Sequence, residues 1–468
     1  MVPERLQPLV EETRPLADLF AAAGFRLYLV GGVVRDAILG RLGDRNDLDF
    51  TTDATPDEIE RVVGPWADAM WAQGKRFGTI GAKQGDRIYE ITTHRAEAYT
   101  PDSRKPEVQF STSIEADLSR RDFTVNAMAL RLSGASGAGA DLELVDPHGG
   151  VVDLASGRLR TPLSPDESFT DDPLRMLRAA RFLTGYGLTP DEDLVDAVKR
   201  LHGRLEIVSA ERIRDELDKL MVVESPSAGL WFLTDTGLAG EFLPELPALG
   251  LEQDPIHRHK DVLAHTIAVV EKTSPDRILR LAALFHDVGK PKTRSIGPNG
   301  VSFHHHEVVG ARITRDRMRA LRYPVEDIEA VTKLVGLHLR FHTYKMGWTD
   351  SAVRRYVRDA GDHLDRLNEL THCDCTTRNK RRADELARRM DSLEVRIAEL
   401  RQQEELDAIR PDLDGRAVMD LLGVKPGPVI GQALAFLLEV RMEEGPLGRE
   451  EAERRLREWW ADQQQPTS

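Results

Sequence analysis

Hydrophobic and polar positions alternate in strand fashion over the first third of the chain and recur at helical spacing afterwards. An apolar run at 25–30 and alternating segments at 48–52 and Arg87–Thr93 predict short strands. Residues 133–140 are nearly all Gly, Ser and Ala, which predicts a flexible loop. From about Pro165 onward leucines recur at helical spacing. We therefore expect the α+β class, with a small mixed sheet followed by helical segments.

The last helical segment carries a heptad seam. Its apolar residues follow one another at steps of 4, 3, 4 and 3: Leu386, Met390, Leu393, Ile397 and Leu400. Such a seam packs either on its own domain or on a second copy of the chain, so the sequence leaves the oligomeric state open. The patterns divide the chain into four expected parts, at 1–160, 161–250, 251–378 and 379–468.

Composition narrows the class of protein. The 468 residues hold 64 Lys+Arg against 78 Asp+Glu, a net charge of −14, which argues against nonspecific wrapping of nucleic acid. No run of 18 apolar residues predicts a membrane span, and the acidic start predicts no signal peptide. The two cysteines, Cys373 and Cys375, are too few to staple the fold. We expect a cytoplasmic protein.

Carboxylates on the predicted strands suggest a metal site. Asp47 and Asp49 alternate along one strand and therefore share a face. Two hard oxygen ligands at that spacing suit Mg²⁺, which proteins hold by one or two carboxylates together with substrate phosphates. Glu90, on the alternating segment Arg87–Thr93, is a candidate third carboxylate from a neighbouring strand.

A glycine turn lies directly upstream of these carboxylates. The first predicted strand ends in Gly31-Gly32, and a helix is expected to begin near Val34. Glycines let backbone approach a ligand closely, helix N-termini offer N–H groups to phosphate, and Arg35 adds a cation. The combination predicts phosphoryl transfer, and the common GxxxxGK[ST] phosphate loop is not in the sequence.

Four ordered motifs carry a family resemblance. LVGGVVRD and DLDF, followed by SRRDFTVNAMA at 119–129 and DDPLRMLRAARF at 171–182, resemble the class II tRNA nucleotidyltransferases and the related bacterial poly(A) polymerases. The resemblance covers about 25–245 and implies a nucleotidyltransferase head followed by a helical neck. It implies that tRNA, CTP and ATP are the partners, with Mg²⁺ in the head.

The resemblance also implies residue roles. Gly32 and Arg35 match triphosphate contacts, and Asp47 and Asp49 match the magnesium ligands. The other matches lie in the two later motifs: Arg121 as a nucleotide contact, Asp172 and Arg175 as the pair that recognises the incoming base, and Arg178 and Arg181 as further nucleotide and phosphate contacts. Arginine forks and carboxylates suit the acceptor and amine edges of C and A. The family has Glu-Asp where this chain has Asp171-Asp172, which leaves the supporting role of Asp171 open.

Histidines mark a second constellation. Eleven of the 14 histidines fall between His257 and His372. His286-Asp287 follows an apolar run, with other imidazole and carboxylate groups before and after it at His265, His306, His338 and Asp374. Ligands of these types drawn from several helices of a bundle predict a transition-metal site.

This segment resembles the HD phosphohydrolase superfamily. The resemblance implies that His265, His286, Asp287 and Asp374 are core ligands, and that His306 and His338 are the extra ligands of two-metal members. Such a site activates water against phosphate esters. The alternative is a domain that keeps the ligands and serves mainly to bind tRNA.

Two basic clusters are candidate tRNA contacts, one between Arg312 and Lys345 and one at 378–382. The function we expect is addition of CCA to the tRNA 3′ end. A poly(A) polymerase, and an HD phosphohydrolase with an RNA-binding head, are the alternatives. Whether all three nucleotides are added depends on a loop at 97–110 that the sequence alone does not interpret.

Overall fold

The computed structural model describes residues 6–42, 47–98, 107–132, 143–251, 261–297, 300–343, 348–375, 380–404 and 410–464. It divides into two compact units, Met1–Pro244 and Glu245–Ser468. The unit boundary lies close to the predicted boundary at 250. The finer division into four parts stays a prediction.

The first unit is built on a seven-stranded sheet. Its strands are β1 (Leu27–Val30), β2 (Asp47–Thr52), β3 (Ala69–Trp71), β4 (Thr79–Gln84), β5 (Arg87–Thr93), β8 (Ala129–Leu132) and β9 (Glu143–Val145). They are hydrogen-bonded in the order β3-β4-β5-β2-β1-β8-β9, with β2 and β5 parallel and the other neighbours antiparallel. The three strands predicted from alternation are confirmed, and so is the small mixed sheet.

Two further strand pairs of the first unit, among its described residues, lie outside this sheet. They are β6 (Arg95–Ala98) with β7 (Glu107–Phe110), and β10 (Arg158–Leu159) with β11 (Thr189–Pro190). The hairpin β6–β7 brackets the loop that the sequence left open, and the residues between its strands lie outside the described part. The predicted loop at 133–140 also lies outside it.

Helices cover the sheet and continue beyond it. In the first unit they are α1 (Gln7–Ala22), α2 (Gly32–Ile38), α3 (Pro56–Val63), α4 (Ile114–Ser119), α5 (Gly150–Ser156), α6 (Pro165–Asp171), α7 (Leu174–Tyr186), α8 (Glu192–Leu201), α9 (Ala210–Met221), α10 (Ser227–Asp235) and α11 (Ala239–Phe242), with 3-10 turns at Lys75–Phe77, Thr124–Asn126 and His202–Ile207. The main core forms where apolar residues of α1 to α3, such as Leu16, Phe20 and Ile59, pack on Leu29 and Phe50 of the sheet.

Sequence punctuation sets several helix starts. Thr55 and Glu58 form a reciprocal capping box at α3, with Pro56 in the first turn. Ser164 accepts a hydrogen bond from the backbone N–H of Glu167 at the start of α6. These local caps leave the apolar sides of the helices to pack on the sheet.

The second unit is almost entirely helical. Its helices are α12 (Val262–Lys272), α13 (Arg277–Phe285), α14 (Lys290–Thr293), α15 (His306–Ala320), α16 (Val325–Leu337), α17 (Asp350–Ala360), α18 (Leu364–Asp374), α19 (Lys380–Glu404), α20 (Gly415–Leu422), α21 (Pro428–Glu444) and α22 (Arg449–Gln463), with 3-10 turns at Pro247–Leu249, Arg340–Thr343 and Gly361–His363. A short hairpin of β12 (Arg294–Gly297) and β13 (Gly300–Phe303) interrupts the predicted run of helices.

The heptad seam of α19 is covered by its own chain. Met390, Leu393, Ile397 and Leu400 are all at most 3% exposed, and α19 packs on α17 and α18 of the same unit. The seam therefore needs no second copy to bury it. Among the residues that the structure describes, every helix is too short or too polar to cross a lipid bilayer.

Candidate active site and metal centre

Two exposed carboxylates lie side by side on the parallel strands of the first unit. Asp49 of β2 pairs in register with Glu90 of β5, and both side chains are exposed. Leu48 and Phe50, on either side of Asp49, are buried in the core. Residues paired across neighbouring strands project from one face about 5 Å apart, a spacing at which oxygen ligands can share one divalent cation. Asp47 occupies the strand position two residues before Asp49, and its side chain lies outside the described part of the chain.

Gly31 lies against this carboxylate pair. It caps α2 with φ 77° and ψ −142°, a conformation that glycine adopts at no steric cost. A Cβ added there would lie 3.4 Å from Nη1 of Arg121 and 3.6 Å from Oδ2 of Asp49. The sequence motifs that carry Gly31, Asp49 and Arg121 are therefore brought to one point. The helix begins at Gly32, two residues before the expected start.

Arg35 is buried rather than directed into open solvent. Its side chain donates to Asp36 at 2.9 Å and also to Asn126 and to the hydroxyl of Tyr186. The guanidinium carbon lies 4.1 Å from the centroid of the Tyr186 ring. Arg35 thus ties α2 to α7. Its predicted contact with triphosphate stays a prediction.

A buried carboxylate organises the RRDFT turn. Asp117 accepts hydrogen bonds from Nη2 of Arg120 at 2.8 Å, from Nη2 of Arg121 at 3.3 Å and from the backbone N–H of Arg95 at 3.2 Å. Burial alone would raise the pKa of Asp117, but Arg121 and Arg120 outweigh burial and lower the pKa to about 2. Asp117 therefore stays ionised and holds Arg121 next to Gly31.

Two further carboxylates hold the arginines of α7. Asp122 accepts from Nε and Nη2 of Arg178 at 2.8 and 2.5 Å. Glu216 of α9 accepts from Nε of Arg181 at 2.8 Å and lies 3.4 Å from Nη1 of Arg178. Both guanidinium groups also lie over the ring of Phe182, at 5.5 and 4.6 Å. Burial opposes ionisation of Asp122 and Glu216, yet the arginines keep both pKa values below their ordinary range.

The predicted base-recognising pair lies at the junction of α6 and α7. Asp172 ends α6, and its carboxylate accepts from Nη2 of Arg212 at 3.0 Å and from the backbone N–H of Leu174 at 3.2 Å. Arg175 is buried, and it donates to the hydroxyl of Ser168 at 2.9 Å and to the carbonyl of Arg120. The structure thus fixes both side chains by protein contacts. Their role toward a base is a proposal taken up below.

In the second unit, the six predicted HD residues form one cluster of two adjacent trios. In the first trio Nε2 of His265 lies 2.9 Å from Oδ1 of Asp374 and 3.3 Å from Nε2 of His286. The second trio is Asp287, His306 and His338, with Nε2 of His306 3.3 Å from Oδ1 of Asp287. Within each trio the potential ligand atoms all lie within 4.8 Å of one another.

Three of the imidazoles lie at helix ends, and the same type of backbone hydrogen bond directs each of them into the cluster. Nδ1 of His286, His306 and His338 each donates to the carbonyl three residues earlier, at 2.7, 2.8 and 2.6 Å. Because a carbonyl only accepts, the proton sits on Nδ1 and leaves the Nε2 lone pair for a ligand. Nε2 of His306 and Nε2 of His338 are buried and have no hydrogen-bond partner. Orphaned, inward-facing imidazole nitrogens beside carboxylates fit a divalent metal ion.

The carboxylates of this cluster favour positive charge at its centre, held as a proton on Nε2 of His286 that a metal ion would displace on binding. Burial lowers the pKa of His286, but Asp287 and Asp374 outweigh burial and raise the pKa to about 10. The charge of His286 and of Lys290 holds the pKa of Asp287 well below its usual range despite complete burial. Buried carboxylates that stay anionic are the natural partners of a cation in this position.

Close packing at Gly289 completes the geometry. A Cβ at Gly289 would lie 2.1 Å from the carbonyl oxygen of His306 and 2.8 Å from the backbone nitrogen of Gly310. The glycine after the His286-Asp287 pair therefore lets α15 approach until His306 reaches Asp287. Lys290 then donates to Oδ2 of Asp287 at 2.6 Å.

Sequence reasoning missed the carboxylates that position the arginines of the first unit. Asp117, Asp122 and Glu216 are all buried and all bind arginines. Glu216 had a signal in the sequence, because it falls on the apolar side of α9 with Ile213 and Leu217. A carboxylate on an apolar helix face is costly to bury unless it has a partner.

The basic clusters are only partly described. Arg317 binds Glu245 at 2.8 Å and Arg340 binds Asp359 at 2.7 Å, so these two cations are used within the second unit. Arg312, Arg315 and Arg319 are exposed at steps of three and four along α15, which places them on one side of that helix. Most of the cluster at 378–382 lies outside the described residues.

Three models of known protein families match successive segments of the chain. The model of the poly A polymerase head domain matches residues 27–160. A model described as a probable RNA and SrmB-binding site of polymerase A matches 187–249, and the HD domain model matches 262–400.

Individual relatives are similar over different lengths. The A-adding tRNA nucleotidyltransferase of Deinococcus radiodurans is 32% identical over 450 residues, which are 93% of this chain and 95% of that protein. The CCA-adding enzyme of Bacillus subtilis is 38% identical over 228 residues, or 48% of this chain and 54% of that enzyme. The similarity to the CCA-adding enzymes thus spans about half the length of those proteins.

Solved structures share the fold. The CCA-adding enzyme of Bacillus stearothermophilus, crystallised in complex with CTP, superposes with a TM-score of 0.67 at 22% identity, over 99% of both chains. The Thermotoga maritima CCA-adding enzyme complexed with tRNA gives a TM-score of 0.60 at 19% identity, over 98% of this chain and 97% of that one.

Proposed function

The chain belongs to the tRNA nucleotidyltransferase family, and from that premise we propose that it adds CCA to the 3′ end of tRNA, without a nucleic-acid template, from CTP and ATP. The observation that carries this proposal is the convergence of Gly31, Asp49 and Arg121 at the end of β1, with Glu90 in register beside Asp49. Three motifs far apart in the sequence meet there around a pair of carboxylates. The cytoplasmic location remains a prediction.

Each group has a role in the transfer. Asp47 and Asp49 would hold Mg²⁺, which when bound neutralises triphosphate charge and favours ionisation of the attacking hydroxyl. The tRNA 3′-hydroxyl forms a new bond to the α-phosphorus of the incoming nucleotide, while the bond to pyrophosphate breaks. Glu90, in register beside Asp49, would accept the hydroxyl proton. Arg121 and the Gly31–Gly32 turn would bind the triphosphate.

Base choice is assigned to the junction of α6 and α7. Asp172 accepts from the exocyclic amine that C and A share, and Arg175 donates to the neighbouring ring acceptor. Arg178 and Arg181 hold the shape of the site and contact the nucleotide. Because U presents a carbonyl where C presents an amine, the carboxylate of Asp172 disfavours U.

A second candidate function is addition of the terminal A alone. The relative that matches over nearly the whole chain is named an A-adding enzyme, whereas the CCA-adding relatives match over about half of it. The two candidates differ only in which tRNA ends are extended. A poly(A) polymerase remains the third alternative.

One extension assay separates these functions. Three tRNA transcripts, ending before CCA, after C and after CC, are incubated with Mg²⁺ and CTP, ATP or both. CCA addition extends all three to one length. A-addition extends only the transcript that ends in CC, and a poly(A) polymerase makes long A tracts. Asp49→Asn should abolish extension, and the matched exposed variant Asp86→Asn, on the β4–β5 turn, should retain it.

For the second unit we infer a divalent metal site held by His265, His286, Asp287, His306, His338 and Asp374. A bound ion would polarise a phosphate ester and activate water against it. His286→Ala should lower the metal content of the purified protein, whereas His305→Asn should not, since the side chain of His305 is 83% exposed. Equal metal content in wild type and His286→Ala would refute the site.

A further inference from the structure

An exposed indole lies on the same sheet face as the catalytic carboxylates. Trp71 ends the edge strand β3 and is 37% exposed. Its indole covers Gly81 of β4, where ring atoms Cε2 and Nε1 both lie 2.1 Å from the position of an added Cβ. Gly81 thus provides the space in which the ring lies against the strand, and the outer part of the ring remains in solvent.

The register of the strands places Trp71 in line with the carboxylates Glu90 and Asp49. Trp71 pairs with Gly81, Gly81 pairs with Glu90, and Glu90 pairs with Asp49. The four residues form one row across β3, β4, β5 and β2, and residues paired in this way share a face of the sheet. Strands lie about 5 Å apart, so Gly81 is about 5 Å from Glu90 and about 10 Å from Asp49.

The reaction needs places for two bases. The base of the incoming nucleotide is assigned to Asp172 and Arg175. The 3′-terminal nucleotide of the RNA must bring its hydroxyl to the carboxylates, so its base, one sugar ring away from that hydroxyl, must lie on the sheet face near Glu90. Trp71 is the aromatic ring in the row that contains Glu90.

Stacking is the form of contact that this base requires. The terminal base changes as nucleotides are added, so a contact that reads hydrogen-bonding edges would fail in some rounds. An aromatic face accepts any base, because every base has a π-face. Unpaired RNA ends are recognised in this manner by exposed aromatic side chains.

We propose that Trp71 is the stacking platform for the 3′-terminal base of the RNA, with Gly81 keeping the ring in place. The inference rests on the proposed function and adds an RNA-binding residue to it. It predicts that Trp71 contributes to the binding of RNA and contributes little to the binding of nucleoside triphosphate.

Three variants and one control test this contact by steady-state extension. Trp71→Ala should raise the KM for a CC-ended tRNA minihelix about 10-fold, with the KM for ATP changed less than 2-fold. Trp71→Phe keeps a ring and should stay within about 3-fold of wild type. Gly81→Ala puts a methyl group where the indole lies and should resemble Trp71→Ala. Met70→Ala is the control, because Met70 is 41% exposed on the same strand and points to the opposite face.

A minihelix with an abasic 3′-terminal nucleotide distinguishes stacking from a structural role of the tryptophan. Wild type should lose about 10-fold in KM on this RNA, and Trp71→Ala should lose nothing further, since the base that stacks is missing. Equal penalties for Trp71→Ala on both RNAs would overturn the inference. So would a rise in the KM for ATP instead of RNA.

Failure of the inference is distinguishable from failure of the proposed function. If wild type extends the minihelix and Trp71→Ala has an unchanged KM for it, the platform is refuted and nucleotide addition stands. If wild type extends none of the RNAs, both are refuted.

Discussion

Substitution of Gly289 by Ala should disable one half of the proposed metal centre through a single steric contact. The added Cβ would lie 2.1 Å from the carbonyl oxygen of His306, whereas contacts of this type are rarely below 3.0 Å. The start of α15 must therefore move by about 1 Å. Ligand positions in metal sites tolerate about 0.2 Å, so the expected movement is roughly five times too large.

The movement of α15 displaces a ligand of only one trio. His306 belongs with Asp287 and His338, whereas His265, His286 and Asp374 lie on other helices. Gly289→Ala should therefore weaken metal binding by the trio of His306 about 10- to 100-fold, as is typical when a ligand loses its orientation. Overpacking should also cost about 1–3 kcal/mol in the free energy of unfolding of this unit.

The assay is the number of Mn²⁺ ions bound per chain, measured by mass spectrometry after metal loading and removal of excess ion. Gly336→Ala is the matched control, because the nearest atom to its added Cβ is 3.8 Å away, and Gly336 lies two residues before His338. The control should bind as much metal as wild type. Gly289→Ala binding the same number of ions with the same affinity would refute the steric argument, and the helical signal in circular dichroism serves as the check that the second unit is folded.

Three other substitutions test the packing that supports the two sites. Asp117→Asn should lower the free energy of unfolding by about 2 kcal/mol at pH 7, because its pKa falls from 3.8 to about 2 on folding. The difference in unfolding free energy between wild type and Asp117→Asn is present above pH 3.8 and should shrink as the pH falls toward 2. Urea unfolding at several pH values measures this difference. Glu216→Gln loosens two arginines of α7 and should raise the KM for nucleotide about 10-fold in extension assays, whereas exposed Glu211→Gln on the same helix should not. Leu393→Ala in the α19 seam should cost about 2–5 kcal/mol in thermal or urea unfolding, against less than about 0.5 kcal/mol for Val395→Ala, which is 59% exposed. A monomer mass for wild type with this loss supports packing within the chain, and a dimer that Leu393→Ala dissociates contradicts it.

Local sequence patterns predicted what depends on neighbouring residues. Strand β1 (Leu27–Val30) follows from the apolar run at 25–30 and β5 (Arg87–Thr93) from alternation, and the glycine turn at Gly31 follows from its position between an apolar run and a helix. Glu90 lies on the strand next to Asp49, as expected. These features need only the two-residue period of a strand and the conformational freedom of glycine.

Local patterns do not predict contacts between residues that are far apart in the sequence. The pairing of Asp117 with Arg121 is local, at a spacing of four residues, whereas the hydrogen bond from the backbone N–H of Arg95 depends on how β6 packs on α4. The row from Trp71 to Asp49 depends on the sheet order, which places β5 between β4 and β2. The six residues of the proposed metal site were predicted from motif order, but their grouping into two trios required the packing of five helices.

Under the proposed function, the buried arginines give a physical account of selection without a nucleic-acid template. A flexible guanidinium rotates to suit many acceptors and therefore discriminates poorly between bases. Arg175 is fixed by Ser168, and Arg178 by Asp122 and Glu216, so each keeps its remaining donors in set directions. The partner carboxylates have depressed pKa values and stay ionised at neutral pH. The conformational entropy of these side chains is thus lost on folding rather than on nucleotide binding. The fixed side chains cannot rearrange to form hydrogen bonds with a base that does not match them.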